Sequence, residues 1–322
     1  MKRAALIFNP NAGRGRRSHR AALEHAASTL LAHGIQTEII TTNGAGTAGT
    51  QAADAVAQGA DLIFACGGDG TLHEVIQGLV HHPTATVGIL PLGSANALAR
   101  HLGLSFDAAR AIRQQLAFIP REIPLGRLTC ETTNGPRTRY FVVMAGAGPD
   151  GMLVYRMLAA GKRRLGRSIY YLRAARLFLT SRFPAFRVRA TLRNGVLLER
   201  DALSVMAIRV GDLGGLFSPL VRGASPSDDA LLVTLTTPPS HLALPAWFVT
   251  SWTRTHRWNP YTQHLLLEHF TCSAAEPRVH VQADGEWVGT TPMRVELVQN
   301  ALRLLMPTSP MEPKSRASPT HA

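Results

Sequence analysis

Hydrophobic and polar positions follow two regimes along the chain, and the change falls near residue 120. Before it, short apolar runs of strand length alternate with longer segments whose apolar residues recur at helical spacing. Ala4–Phe8 is the first run and ends at Asn9-Pro10. A helix is predicted from Ser18 as N-cap through His33, with Leu23, Ala27, Leu30 and Leu31 on one face and Gly34 as its stop. Ile35–Thr41 reads as a strand, Ala48–Gln58 as a helix and Leu62–Cys66 as a buried strand. Leu72–Val80 follows as a helix and Thr86–Leu90 as a further strand. Such alternation predicts an α/β domain, a parallel sheet with helices on both faces.

Beyond residue 120 short segments of period two dominate. They are Arg139–Met144, Phe186–Leu192, Ser204–Arg209, Leu231–Thr236, Leu265–Cys272, Arg278–Gln282 and Met293–Val298. Asn194-Gly195 and Asp284-Gly285 are hairpin-turn pairs. The pattern predicts an antiparallel β domain over 121–298, interrupted by helical stretches near Ser168–Leu179 and Trp247–Arg257. The α/β domain covers 1–120, with 299–306 expected to complete it. The Pro- and Ser-rich tail, 307–322, is expected to be disordered.

Composition narrows the setting. With 322 residues, 45% apolar and 17% charged, the chain is globular and large enough for two cores. No apolar run reaches the length that spans a bilayer. The opening stretch is too short for a signal-peptide core, and the three cysteines have no metal-ligand spacing. A cytoplasmic protein is expected. The net charge of +13 is concentrated: from Arg156 to Arg189 there are ten basic residues and no acidic one, interleaved with aromatic and aliphatic side chains. That composition suits an anionic membrane surface, with a solvated basic face as the alternative, so a peripheral position at the inner membrane is expected. Lys162, within the run, is a candidate substrate-binding cation. No nucleic-acid-reading motif is present, and nucleic acid is not an expected partner.

The chemistry concentrates in turns at strand ends, where open α/β sheets bind ligands. Gly67-Gly68-Asp69-Gly70-Thr71 lies between a buried strand and a helix. Its glycines allow close approach of a phosphate and positive φ, and the following helix N-terminus favours an anion. An aspartate there would repel phosphate unless Mg²⁺ or a hydroxyl proton stands between them. Asp69 is therefore a candidate on the metal or base side. Two more loops extend the phosphate-binding edge: Asn9 to Arg16, with Arg14, Arg16 and Arg17, and Pro91 to Asn96, with Gly93, Ser94 and Asn96. Leu72 and His73 complete the candidate nucleotide contacts around Gly67, Gly68, Gly70 and Thr71. His73-Glu74 is not a zinc-binding pair, and no Walker A lysine pattern is present.

The order NPNAGRGR, GGDGTLHEV, PLGSANALARHLGL, AGAGPDG and ADGE resembles the diacylglycerol kinase catalytic family, which includes sphingosine and ceramide kinases. The resemblance runs over roughly residues 4–300. GGDGT also occurs in NAD kinases, which are similar in fold. The resemblance implies an NAD-kinase-like nucleotide domain, a C-terminal β-sandwich, an active site in the cleft between them, and ATP and Mg²⁺ as requirements. It implies that Asp69 lies in the ATP–Mg²⁺ site and that Thr41 or Thr42 and Ser94 are nucleotide contacts. It makes Glu286 the general base for the lipid hydroxyl, although from the residues alone Glu286 reads as a solvent-exposed hairpin glutamate. Asp150 falls where the family holds the lipid head group, and Asp228-Asp229 where it holds a structural Mg²⁺, with Asp229 as the candidate ligand. Departures stand beside these matches: Pro124 in place of an acidic residue, His73 in place of Asn, Ala97 in place of Asp and Ala230 in place of Gly. The expected function is ATP- and Mg²⁺-dependent phosphorylation of a membrane lipid such as diacylglycerol, ceramide or a sphingoid base. A catalytically impaired nucleotide- and membrane-binding protein, motivated by Pro124, and an NAD kinase are the alternatives.

Overall fold

The structure, a computed structural model, describes residues 1–12, 16–80, 82–159, 176–177, 181, 183–212, 223–237, 246, 249–251, 253, 259–273 and 276–308. Lys162, Arg14, the tail beyond 308 and nearly all of the two helical stretches expected near 168–179 and 247–257 lie outside these residues, as do the side chains of Arg16 and Arg17. The chain divides into two units. One is Met1–Ile123 with the segment from Ala301, and the other is Pro124–Asn300.

The first unit is built on β1 (Arg3–Phe8), β2 (Gln36–Thr41), β3 (Leu62–Gly67), β4 (Thr86–Pro91) and the end of β15 (Glu286–Met306). All pair in parallel, in the order β2-β1-β3-β4-β15. β3 and β4 are buried at every residue, the mark of parallel strands covered on both faces. Ala4, Leu6, Leu62, Phe64, Cys66 and Leu90 form one core with α1 (Arg16–Ala32) and α5 (Ala108–Leu116). The alternate residues Ile7, Ile63, Ala65 and Ile89 point to the opposite face. On α1 the buried stripe is Leu23, Ala26 and Leu30, at spacings of three and four, whereas Leu31 is 64% exposed. The expected face therefore shifts by one position, because Ala26 rather than Ala27 completes the stripe.

The helix after the glycine turn, α3 (Asp69–Leu79), begins three residues earlier than the hydrophobic pattern predicts, since small residues of its first turn carry no apolar signal. α2 (Ala48–Ala57) precedes it, and α4 (Ala97–His101) and α5 were not foreseen. From β1 the chain passes to β2 on one side and to β3 on the other, so the switch point lies between the carboxyl ends of β1 and β3.

The second unit is antiparallel. β7 (Met144–Ala147), β10 (Ser204–Ile208), β11 (Leu231–Thr236), β12 (Thr262–Leu267) and β14 (His280–Ala283) form one run of strands. β5 (Ile119–Thr132), β6 (Gly135–Phe141), β8 (Phe186–Thr191), β9 (Leu197–Ala202) and β13 (His269–Cys272) form the other. β15 joins both, pairing β14 through Glu286–Thr290 and β13 through Met293–Glu296. Residues of both runs, among them Val205, Val233, Val281, Val188, Phe270 and Val295, share one core, which makes the unit a β-sandwich. Two expected strands are each divided. Arg139–Met144 breaks because the N–H groups of Val142, Val143 and Met144 turn to the Asp284 carboxylate. Leu265–Cys272 breaks at Glu268, where the chain leaves β11 for β8 and β15. α6 (Pro149–Ala159) and β9 were not foreseen.

Candidate active site

In the first unit three strand ends are tied into one edge. The Asn9 N–H donates to Cys66 O (3.1 Å), and Asn9 Nδ2 donates to Thr71 Oγ1 (3.2 Å). Leu92 and Gly93 both donate to Gly67 O, and the Thr42 N–H donates to Phe8 O. Thr41 and Ser94 are exposed beside this edge, and Thr71, Leu72 and His73 are buried in the first turns of α3.

The glycines serve packing rather than positive φ. Gly68 has φ −97°, and neither Gly67 nor Gly93 enters the left-handed region. A Cβ on Gly93 would lie 2.4 Å from Gly68 Cα, and one on Gly67 would lie 2.3 Å from Thr71 Oγ1. The left-handed residue is Asn96, φ 50°, whose side chain bonds both the N–H and the carbonyl of Gly93. Gly68 caps α3 without a side-chain bond. The first-turn N–H groups therefore lack intrahelical acceptors, as an anion site requires.

Asp69 has a role the sequence did not show. Its Oδ2 accepts the Asn96 N–H (2.8 Å) and its Oδ1 the Ala97 N–H (2.7 Å), so it fastens the β4–α4 loop to α3. Glu74 does the same for α2, accepting the N–H groups of Gly46 and Ala48. The two acids of GGDGTLHE thus organise two loops at one sheet edge. The carboxylate is a hard oxygen donor of the kind Mg²⁺ takes beside phosphate and water ligands, so its chemistry fits a nucleotide-bound Mg²⁺.

In the second unit the ADGE segment forms a tight hairpin between β14 and β15. Asp284 (φ 49°) and Gly285 (φ 81°) both take the left-handed region that a type I′ turn demands. Asp284 is buried and accepts three backbone N–H groups, from Val142 (3.1 Å), Val143 (2.9 Å) and Met144 (3.0 Å). The Gly285 N–H donates to Gln282 Oε1, and Gln282 Nε2 donates to Asp150 Oδ2 (3.0 Å). Glu286 is exposed at the head of β15, and among the described residues its carboxylate makes no hydrogen bond or ion pair. Beside it, Trp287 Nε1 donates to His280 Nδ1 (3.1 Å), and Tyr155 stacks on His280 at 4.0 Å. Burial and the nearby Arg156 push the His280 pKa down.

Asp150 opens α6 with its carboxyl enclosed against Gly146, and among the described residues Oδ1 has no hydrogen-bond partner. Burial pushes its pKa up to about 6, against the opposing pull of the Gln282 bond. Asp229, expected as the ligand of a structural Mg²⁺, has an exposed carboxylate that pairs with Arg193 (2.9 Å). Asp228 accepts the Ser225 N–H instead. Among the described residues no three His, Cys, Asp or Glu side chains cluster as a metal site. The residues of this turn do not fit a structural Mg²⁺ held through Asp229. Burial raises all three thiols, Cys130 to about 12, so none is a ready nucleophile. No described helix is long and apolar enough to cross a membrane.

The chain thus consists of a parallel α/β unit, with its glycine turn at the switch point, and an antiparallel unit. The fold is similar to that of yeast NADH kinase, with a TM-score of 0.54 at 12% identity over 95% of this chain and 84% of that one. It is more similar to the crystal structure of a diacylglycerol kinase from Bacillus anthracis, with a TM-score of 0.71 at 23% identity over 95% and 97%. Residues 3–128 match the diacylglycerol kinase catalytic domain. The chain is 31% identical over 235 residues to diacylglycerol kinase of Bacillus subtilis, covering 71% of each protein. It is 26% identical over 293 residues to that of Staphylococcus saprophyticus, covering 90% and 91%. The chain belongs to the diacylglycerol kinase family, a family of lipid kinases.

Proposed function

We propose that this protein transfers the γ-phosphate of ATP to the hydroxyl of a membrane lipid, with diacylglycerol the favoured acceptor and ceramide or a sphingoid base the alternatives. The observation that carries the reading is the division of labour in ADGE. Asp284 and Gly285 are held by four N–H bonds, while Glu286 is exposed and its carboxylate makes no hydrogen bond or ion pair among the described residues. A general base has to be held in place by its neighbours yet remain unpaired itself.

In the proposed reaction the Glu286 carboxylate accepts the proton of the lipid hydroxyl. The hydroxyl oxygen forms a bond to the γ-phosphorus as the bond to the β-phosphate bridging oxygen breaks, releasing ADP. The α3 N-terminus and the packed Gly67–Gly68 and Gly93 backbones hold the phosphates, with Thr41 and Ser94 contacting the nucleotide. Asp69 would hold Mg²⁺ brought with ATP, which would supply neutralisation of phosphate charge. Asp150 is the group facing the lipid head group, a role supported by its enclosed carboxyl, whose Oδ1 has no hydrogen-bond partner among the described residues. The basic run from Arg156 draws the enzyme to an anionic bilayer from the cytoplasmic side.

The test is transfer of ³²P from γ-labelled ATP to a bacterial lipid extract with Mg²⁺, comparing wild type with Glu286→Gln and Asp69→Asn. Diacylglycerol, ceramide, a sphingoid base and NAD are supplied in separate arms. A labelled lipid that disappears with Glu286→Gln supports the proposal, and its mass names the acceptor. Label only in NADP would replace the lipid reading. ATP binding without any labelled product would favour the impaired binding protein.

A further inference from the structure

Among the described residues Arg209 is the bulkiest of the fully buried side chains, at 1% exposure, and no carboxylate of theirs pairs with it. Following β10 in the second unit, it aims its guanidinium at backbone carbonyls alone. Nη1 donates to Asp228 O (2.9 Å) and Ala230 O (2.8 Å), and Nη2 donates to Pro124 O (3.1 Å) and to Pro226 O. Four carbonyl oxygens from two distant stretches of chain converge on one cation. Such an all-oxygen, neutral cage is a donor set that hard metal ions use. The charged groups nearest in sequence are turned elsewhere, Asp228 to Ser225 and Asp229 to Arg193. A divalent ion and a guanidinium cannot share the cage, because like charges at contact distance repel strongly in a buried setting.

We propose that Arg209 is the structural cation of this unit, its guanidinium filling from within the chain the place beside the 225–230 turn where the family resemblance led us to expect a metal ion. This explains two departures together. Pro124 has no carboxylate to offer a metal network, but its carbonyl is one wall of the cage. Asp229 is released to the surface because no metal needs it. Burial lowers the Arg209 pKa only to about 10, with Asp228 and Asp229 opposing the fall, so the cation is present at neutral pH. The planar fork satisfies four acceptors at once, which a lysine could not do. The inference does not depend on which acceptor the enzyme phosphorylates.

The experiment is thermal melting of the full, nucleotide-free chain after dialysis against chelator, followed by circular dichroism in EDTA, Mg²⁺ or Ca²⁺. Wild type is expected to melt at one temperature in all three. Arg209→Ala is expected to melt lower and to be raised by millimolar methylguanidinium, which leaves wild type unchanged. If Arg209→Ala does not fold, Arg209→Lys, which keeps the charge but not the fork, is expected to melt below wild type and to ignore divalent ions. Wild type that loses stability in EDTA would overturn the proposal. So would an alanine or lysine variant that melts like wild type.

Discussion

Two acids stand two residues apart in the β14–β15 hairpin, and their removal should separate stability from turnover. Asp284 accepts three N–H groups, two on Oδ1 and one on Oδ2. In Asp284→Asn the amide oxygen can keep Val143 and Met144, but the amide nitrogen then faces the Val142 N–H, which is left unpaired in the interior. One orphaned donor costs ~1–3 kcal/mol and loss of the charged acceptor weakens the other two bonds, giving about 2–4 kcal/mol in all. Asn is the right probe because it tolerates the positive φ that Ala would not. Glu286→Gln removes an exposed carboxylate that has no partner among the described residues, so stability should change by less than about 0.5 kcal/mol. As the loss of a general base, it should lower kcat by roughly 10²–10⁴-fold. Urea unfolding by circular dichroism and a ³²P-transfer assay on the same preparations measure the two quantities. The division of roles fails if Asp284→Asn unfolds like wild type. It fails equally if Glu286→Gln keeps more than about a tenth of the wild-type kcat, a loss too small for a general base.

Other outcomes follow from the same contacts. An acid whose pKa is raised on folding destabilises the folded state as it ionises. Asp150, raised from 3.8 to about 6, should therefore cost nothing below pH 4 and its full penalty above pH 6. At ~1.4 kcal/mol per pKa unit, wild type should lose about 3 kcal/mol relative to Asp150→Asn between those limits. Parallel unfolding free-energy profiles would refute this. Asp69→Ala strips two N–H groups of their acceptor and should lower stability by ~2–4 kcal/mol as well as activity. Asp69→Asn, which keeps one acceptor, should melt between it and wild type in a thermal scan. Gly93→Ala puts a Cβ 2.4 Å from Gly68 Cα, so it should push the two loops apart. ATP affinity measured by calorimetry is expected to fall at least roughly tenfold, or 1.4 kcal/mol.

Residue types and periods disclosed the strands of the parallel sheet well, because both faces are buried and the apolar runs are continuous. They disclosed the β-rich half more coarsely. A strand that breaks at Val142 to serve Asp284, 142 residues away, leaves no local sign. α5 was missed although its amphipathic spacing is readable, whereas α4 is only five residues long and its cap comes from Asp69. In the site, GGDGT and ADGE stood out by composition. What each acid does did not, since the N–H groups that Asp69, Glu74 and Asp284 receive belong to loops distant in sequence. Arg209 was invisible for the same reason: a basic residue at a strand end looks exposed until four carbonyls are seen around it.

The sheet of the first unit is completed by Arg303 and Leu304, which pair with Thr86 and Val87 of β4. On a ribosome, β4 emerges roughly two hundred residues before its outer partner, a wait on the order of 10–40 s at ordinary elongation rates. During that time an apolar strand offers an unpaired backbone edge, the kind of surface that recruits a neighbouring chain. The nascent protein is therefore at its most aggregation-prone while the second unit is being made. Truncation just before Ala301 would make that passing hazard permanent.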